Sequence, residues 1–594
     1  MNIIDETLSA LDATTGMLQE DTVSKGIRSV LSENKVEKSD VIQISELLAF
    51  EFRENVDVST NPWGTYLRSL YVLTNSEEYP SINDLTPEMV EYYEQRAVDV
   101  KHPVLKTRYA NLVWEFSRRI AGKKPNIEFA RMIIDGNLEI PALITDGNDT
   151  DSLIAKILVP KKLNRALTLS ISINDQDRIR KSVEAMIAYE DRIAEDDKQA
   201  TWGFSFDNLM AGQKDVLTRE EKEKLVNDHE KRLERITTEG GEKDHWGVEN
   251  IINRLAPYYR KIGDLENAKR VVLKYGEVFE AMAATCIPSI ASSHYDDVRA
   301  RYQEYGLTTE AKRIEVILQE LGAKVVSEFK TMSVKHEIPQ EKIDKQIADL
   351  LDGELPTALF RLVLYFIPKK EKEGNALKEI ANESIFFYLS ANKLHDADGR
   401  LVATIGPIES DFDGRLMAHI SQNMQFGAYF LHLAISRLIE KFRLSKDDIV
   451  NLIFQSPIFD EHSRGIIDAG IEAYLNDNHL VAAHLLTTQI EPAFRNLLLG
   501  AGVSVLKPND IGGFDYITFG TLLSYSQLKD ALGEDFIFYL KLLFTESRGW
   551  NVRNNICHGL LRSEFIQKPI TDRIMHVLFL LSFIREMEQS SPSA

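Results

Sequence analysis

Cysteine is almost missing from this chain: there are two, Cys286 and Cys557, in 594 residues. Two thiols build neither a disulfide framework nor a cysteine-based zinc site, and their scarcity fits a reducing compartment. Long apolar runs are missing as well. The most apolar stretch, VLFLLSFI at 577–584, is eight residues, against the roughly 20 that a membrane helix needs. The start, MNIIDETLSALDATTG, is acidic where a signal peptide is basic. A cytoplasmic protein with no membrane partner is expected. Positive charge is in deficit, with a net charge of −21. Such a surface repels a polyanion at long range and excludes a general nucleic-acid coat, so any nucleic-acid contact must be local.

Apolar and charged contents of 44% and 27% are ordinary and permit large cores. The length implies roughly three to five domains or a run of repeats. The apolar period is helical nearly throughout, so an all-α fold is expected. VLKTRYANLVWEFSRRI (104–120) places Leu105, Tyr109, Leu112, Val113 and Phe116 on one helix face. TREEKEKLVNDHEKRLERI (218–236) opens on a Thr218/Glu221 capping box, with Gly240–Gly241 as a stop and a solvated charged face. YRKIGDLENAKR (259–270) aligns with YQEYGLTTEAKR (302–313), pairing Tyr259 with Tyr302, Gly263 with Gly306 and Ala268 with Ala311. These two copies read as stacked helical hairpins resembling tetratricopeptide or HEAT pairs, which commonly offer a surface to partners. LHDADGRLVATIGPI (394–408) reads as a small β-hairpin around Asp398–Gly399. Its DADG lacks the rest of a calcium loop, since Asp396 plus eleven is Pro407. Four segments follow: 1–245, an N-terminal helical domain; 246–340, the hairpin repeats; 341–476, a helical connecting domain; and 477–594, a compact C-terminal bundle. In the last, helices are expected at 479–502, at 518–547 with a break near Gly533, and at 570–589 with Thr571 or Asp572 as caps. The segment 503–515 reads as a loop.

Between the last two of these helices lies GWNVRNNICHG (549–559). Few structural purposes gather an arginine, asparagines and a histidine so closely. Histidine titrates near neutrality and can move a proton. Arginine stays charged and matches phosphate oxygens with its planar fork. Both begin a helix within about one and a half turns, so one cleft could hold both. The plainer reading makes Asn551 or Asn554 a helix cap, buries His558 and uses Cys557 as a small buried filler.

The string resembles the HEPN superfamily, whose signature is an arginine followed four to six residues later by a histidine. It is most similar to an uncharacterised family with a C-terminal RNxxxHG motif, matched by Arg553, Asn554, His558 and Gly559. Glu491 and Arg495, in IEPAFRNLL, resemble that family's first helix. The resemblance covers about 480–590. It implies a four-helix HEPN-like bundle and a metal-independent endoribonuclease without cofactors. Arg553, His558 and Asn554 would be catalytic, with Asn551, Asn555, Glu546, Arg548, Glu491 and Arg495 supporting the site or binding RNA. Glu491 and Arg495, four apart, also read as a simple helix ion pair. The 2′-hydroxyl of RNA would be the nucleophile. HEPN nucleases typically dimerise across a shared groove, so a homodimer is expected. The preceding helical region would sense a trigger, a protein or phage component, as in toxin or anti-phage defence systems; that setting is fold-level analogy. The competing reading is a non-catalytic helical adaptor or RNA-binding protein that dimerises through its C-terminal bundle. Residues 545–576 carry five basic and three acidic side chains, a local surplus of two.

Overall fold

Helices follow one another along nearly the whole chain. The computed structural model describes residues 3–33, 41–55, 61, 63–72, 77–144, 150–210, 215–238, 244–330, 338–384 and 389–585. Strands among them occur only as two-stranded antiparallel pairs, 53–54 with 67–68, 71–72 with 78–79, 392–395 with 401–405 and 506–508 with 514–516. The fold is all-α, as the helical period implies. The chain divides into two compact units, 1–315 and 316–594.

In the first unit, sequence neighbours are spatial neighbours. Helix Pro103–Ile120 packs between Pro87–Asp99 and Ile127–Glu139, and Thr150–Ser172 packs on Gln176–Ile193. Pro103 starts its helix where a missing N–H costs nothing, and His102 Nδ1 accepts from Val104 N at 3.3 Å. Leu105, Tyr109, Leu112, Val113 and Phe116 are all fully buried, so the expected face is the core face. An ionic network is buried beside them. Glu46 accepts from Tyr92 and Tyr109, both at 2.5 Å, and pairs with Arg96 at 3.0 Å. Arg108 donates to the carbonyls of Ala49 and Phe52 and pairs with Glu20 at 3.0 Å. Lys162 Nζ sits 2.6 Å from Glu20 and 2.8 Å from Glu54. Arg165 donates to Asn111 at 2.9 Å, pairs with Glu115 at 2.5 Å and lies 4.0 Å over the Tyr66 ring. Four acids meet four cations. Buried charge costs several kcal/mol per ion unless it is paired in this way.

The repeat is a shared clasp. Gly263 and Gly306 both adopt left-handed backbone at their turns, with φ of 80° and 70°. Ala268 and Ala311 are buried where helices approach closely. Tyr259 donates to Glu230 at 2.6 Å, and Arg270 binds the same carboxylate. Tyr302 donates to Glu280 at 3.0 Å, joined there by Arg313 at 2.7 Å. The Thr218/Glu221 capping box is present, with bonds of 3.2 and 2.8 Å. Its expected stop, Gly240–Gly241, lies outside the described residues.

In the second unit one apolar core runs from Ile343 to Leu581, so residues on either side of 476 share it. Its main helices here are α1 (Phe412–Phe426), α2 (Ala428–Phe442), α3 (His479–Gly500), α4 (Glu534–Phe544), α5 (Val552–Cys557) and α6 (Lys568–Leu581). Helices α2 and α3 pack on α6, and α5 touches both α3 and α4. The expected break is Gly533, with φ of 85°. The hairpin around Gly399 forms, its tip closed by Asp396 accepting from the backbone of Asp398 and Arg400 at 3.0 and 2.9 Å. Segment 503–515 is more than a loop: Leu506–Pro508 pairs with Phe514–Tyr516. Thr571 and Asp572 are not caps but buried residues inside α6, which follows Gln567 as its N-cap and has Pro569 in its first turn. The apolar run VLFLLSFI is spent internally, with Val577, Leu578, Phe579 and Leu581 fully buried. Leu580, Phe583 and Ile584 of the same run stay half-buried.

Candidate functional site

The GWNVRNNICHG string forms a sharp turn and a short helix. After α4, Gly549 N bonds to Glu546 O at 2.9 Å and Trp550 N to Leu542 O at 2.9 Å. A Cβ on Gly549 would lie 2.3 Å from Leu542 O, so only glycine fits there. Trp550 Nε1 donates to Ser421 O on α1 at 3.2 Å. Asn551 then takes left-handed backbone, φ 49°, which asparagine tolerates better than most residues. Val552 and Ile556, four apart, are buried and anchor α5. At the far end, Leu560 N bonds to Asn555 O at 2.8 Å and Gly559 N to Ile556 O at 3.1 Å. With Gly559 at φ 66°, this is a Schellman ending. The glycine of the motif thus stops the helix.

The anchoring of α5 turns Arg553 toward α3. Its Nε and Nη2 donate to Glu491 Oε2 at 3.1 and 2.7 Å, and its Nη1 to Asn554 Oδ1 at 2.9 Å. Asn554 Nδ2 donates to Asn551 Oδ1 at 2.8 Å and to Thr545 O at 3.4 Å. Asn551 donates to Asn555 Oδ1 at 3.4 Å, and Asn555 to Trp550 O at 3.3 Å. Neither asparagine is a side-chain cap for α5; their amides tie the turn to the arginine instead. Glu491 is buried and shared, since Arg495 bonds its other oxygen while lying 4.5 Å over the Tyr516 ring. Two guanidiniums thus share one carboxylate, leaving one unit of positive charge.

His558 ends α5 as an exposed residue, and among the described residues its ring has no hydrogen-bond or ion partner. No contact joins it to Arg553. Five positions on an α-helix turn through about 500°, which leaves two side chains roughly 140° apart. The motif's two reactive groups therefore diverge, one toward Glu491 and one toward solvent. Cys557 is exposed rather than a buried filler; Ile556 takes the buried position. Glu546 and Arg548 bond each other at 2.9 and 3.1 Å, with Asp411 at 3.9 Å from Arg548. The Arg548 hydrogen bond holds the Glu546 carboxyl below its usual range, and that same pair raises Arg548.

A second polar cluster gave no sequence signal because its members lie far apart in the chain. Buried Asp572 accepts from Tyr474 at 2.6 Å and faces His432 Nδ1 at 3.2 Å, while Ser436 Oγ lies 3.4 Å from His432 Nε2. Burial pushes the Asp572 carboxyl up. The residue types are those of a hydrolytic triad, but Ser436 is a one-turn neighbour of His432 on α2 and its bond is long for an activated hydroxyl. The cluster satisfies a buried carboxylate.

A protein-family model described as a domain of unknown function (DUF7380) matches residues 43–182. That stretch holds most of the buried ionic network of the first unit. No curated protein and no solved structure matches the chain. Among the described residues, no helix is long and apolar enough to cross a membrane.

Proposed function

We propose that the second unit carries a metal-independent RNA-cleaving site in which His558 moves the proton of the 2′-hydroxyl and Arg553 stabilises charge on the phosphate. One observation carries this reading: an exposed histidine with no partner among the described residues ends the same short helix that places Arg553 in a cluster where two arginines share a single carboxylate. An imidazole free of partners is available to a substrate proton. The surplus guanidinium charge is available to a phosphate oxygen. Asn554 and Asn551 hold the turn, and Glu491 and Arg495 set the pose of Arg553. Within one copy the two groups diverge, so the reading calls for a homodimer in which His558 of one copy and Arg553 of the other face one RNA. The helical remainder of the chain would hold the nuclease until a trigger, a protein or a phage component, arrives.

RNA cleavage by the full chain in the presence of EDTA, with products ending in 2′,3′-cyclic phosphate, is the expected result. Its loss in a folded His558→Ala variant supports the reading; unchanged cleavage in folded His558→Ala and Arg553→Ala variants ends it. One observation favours the adaptor reading instead: Arg553 is already engaged by Glu491, so a phosphate has to compete for it. A chain that binds RNA without cutting it, and whose binding is lost on Arg553→Ala, would decide for that reading.

A further inference from the structure

Helix Leu355–Tyr365 is apolar on more than one side. Ala358, Leu359, Leu362 and Val363 are buried in the core of the second unit. Phe360, Leu364 and Tyr365 are instead 48%, 43% and 53% exposed. Phe360 and Leu364 are four apart and form a second stripe on the helix. A surface helix ordinarily carries one apolar stripe, and a second one left in solvent marks an interaction site. The stripe is also not isolated. Half-buried Phe583, just past α6, stands edge-on to Phe360 with ring centres 5.4 Å apart. Half-buried Leu350 ends the preceding helix, Gln340–Leu350, whose own core residues are Ile343 and Ile347.

These two helices border an open trough of about 650 Å³, to which Leu350, Phe360, Leu364 and Tyr365 give an apolar lining. Its charged lining is Lys342, Lys345 and Asp349 from the first helix and Arg361 from the second. The first three share one helix face, at spacings of three and four. Among the described residues, Lys342, Lys345 and Arg361 make no ion pair and no side-chain hydrogen bond, and the Nε of Arg361 is buried without a partner. The nearby carboxylate of Asp344 is taken by Arg437. Three cations against one carboxylate leave a surplus of two, in a chain whose net charge is −21.

Shape and charge together choose the occupant. Both walls are helices, whose backbone groups bond internally, so no strand can add at this edge. An open trough leaves a small molecule half in water, whereas a third helix covers it along its length. Each wall has eleven residues, a rise of about 16 Å, or about three turns of a partner helix with anchors at i, i+4 and i+7. The cations call for acidic residues beside those anchors. A nucleic acid would satisfy the cations and leave the Leu350 and Leu364 side chains uncovered.

We infer that this trough docks an acidic amphipathic helix of a partner protein, its apolar stripe on Phe360 and Leu364 and its carboxylates against Lys342, Lys345 and Arg361. The trough shares no residue with the Arg553–His558 cluster, and the inference stands whether or not that cluster cuts RNA.

Fluorescence polarisation with the full chain tests it, using three labelled, stapled peptides of about sixteen residues, long enough to hold a helix. The first carries leucine at i, i+4 and i+7 among glutamates and alanines. The second has lysine for every glutamate, and the third has the first composition in scrambled order. Saturable binding of the acidic peptide is expected, with binding of the lysine peptide at least about tenfold weaker and none of the scrambled one. Phe360→Glu should weaken the acidic peptide at least about thirtyfold, as loss of a central anchor does. The double variant Lys342→Glu/Lys345→Glu, on two exposed residues, should weaken it about tenfold and strengthen the lysine peptide. Failure of the parent protein to bind the acidic peptide, or equal binding of all three, overturns the inference. So does displacement of the peptide by single-stranded RNA, which would make the trough a nucleic-acid site. A parent dimer in light scattering that turns monomeric on Phe360→Glu would give the trough to a second copy and overturns it as well. If Phe360→Glu does not fold, the double lysine variant decides alone, and unchanged affinities in it overturn the inference.

Discussion

The buried network of the first unit and the arginine–asparagine cluster of the second use the same side chains to opposite ends. In the first, Glu20, Glu46, Glu54 and Glu115 match Arg96, Arg108, Lys162 and Arg165 one for one, and backbone carbonyls and tyrosine hydroxyls take up much of the remaining bonding capacity. In the second, Arg553 and Arg495 share Glu491, and His558 has no partner among the described residues. A balanced set in a largely buried interior fixes packing. An unbalanced set at a surface leaves charge and a proton carrier for something else. The difference teaches where to look for function: at the polar groups whose charge and hydrogen bonds are not balanced.

The comparison breaks most readily in the first unit. Lys162→Met leaves Glu20 and Glu54 without their shared cation and should cost about 3–5 kcal/mol, the scale of an orphaned buried charge; urea denaturation measures it. A loss below about 1 kcal/mol would mean the network is not what holds this unit. The same network sets a pH signature. Burial alone would raise the Glu20 carboxyl, but Lys162 and Arg108 overrule it and hold it at about 2, against an ordinary value of 4.5. The unfolded chain therefore takes up this proton first as pH falls. The stabilisation is full above pH 4.5 and is lost between 4.5 and about 2. Glu20→Gln should flatten that part of the acid profile. In the second unit, His576 shows the same sign from another cause. Complete burial, with Arg573 nearby, lowers the imidazole from 6.5 to about 3, so its contribution is lost as pH falls from 6.5 toward 3, and His576→Gln should flatten that window.

His558→Ala and Arg553→Ala should each lower RNA cleavage at least about a hundredfold. The two should then differ in stability. His558→Ala removes an exposed, unpartnered ring and should leave the urea midpoint unchanged. Arg553→Ala strands Glu491 with Arg495 alone and should lower it. Equal midpoints would blur the contrast between a group that is held and one that is free. Asn554→Ala comes next, with an activity between the parent and Arg553→Ala and a stability loss of about 1 kcal/mol, the value of a hydrogen bond. Smallest is Cys557→Ser, expected to stay within about 0.5 kcal/mol and at full activity because the thiol is exposed and joins no network.

Local patterns were readable in the sequence. The helical period, the Thr218/Glu221 box, the break at Gly533, the tip at Gly399 and the two repeat copies each depend on residues a few positions apart, where spacing maps directly onto geometry. The position of the motif between two apolar helices was readable for the same reason. What was not readable depends on partners far along the chain. Lys162 and Glu20 lie 142 positions apart, and no spacing rule joins them. Glu491 showed itself as the partner of Arg495, four residues on, but its bond to Arg553, 62 residues on, needed the packing of α5 against α3. Thr571 and Asp572 looked like caps because their types suit the start of a helix. Pro569 begins α6 earlier, and His479 and Tyr474 claim the two side chains from inside. Cys557 is exposed because a six-residue helix buries one stripe, and Val552 and Ile556 occupy it.

The clasps of the repeat carry a consequence for how such a chain can grow. Helix Leu265–Ala283 takes part in both: Arg270, near its start, reaches back to Glu230, and Glu280, near its end, receives Tyr302 and Arg313. It behaves like a link with a hook at one end and an eye at the other. A further hairpin could be spliced in only if its second helix carried the same hook and eye in the same order. A gain or loss of part of a hairpin would leave an eye with no hook. Length variation in this region should therefore come in whole hairpins, with the turns at Gly263 and Gly306 as the seams.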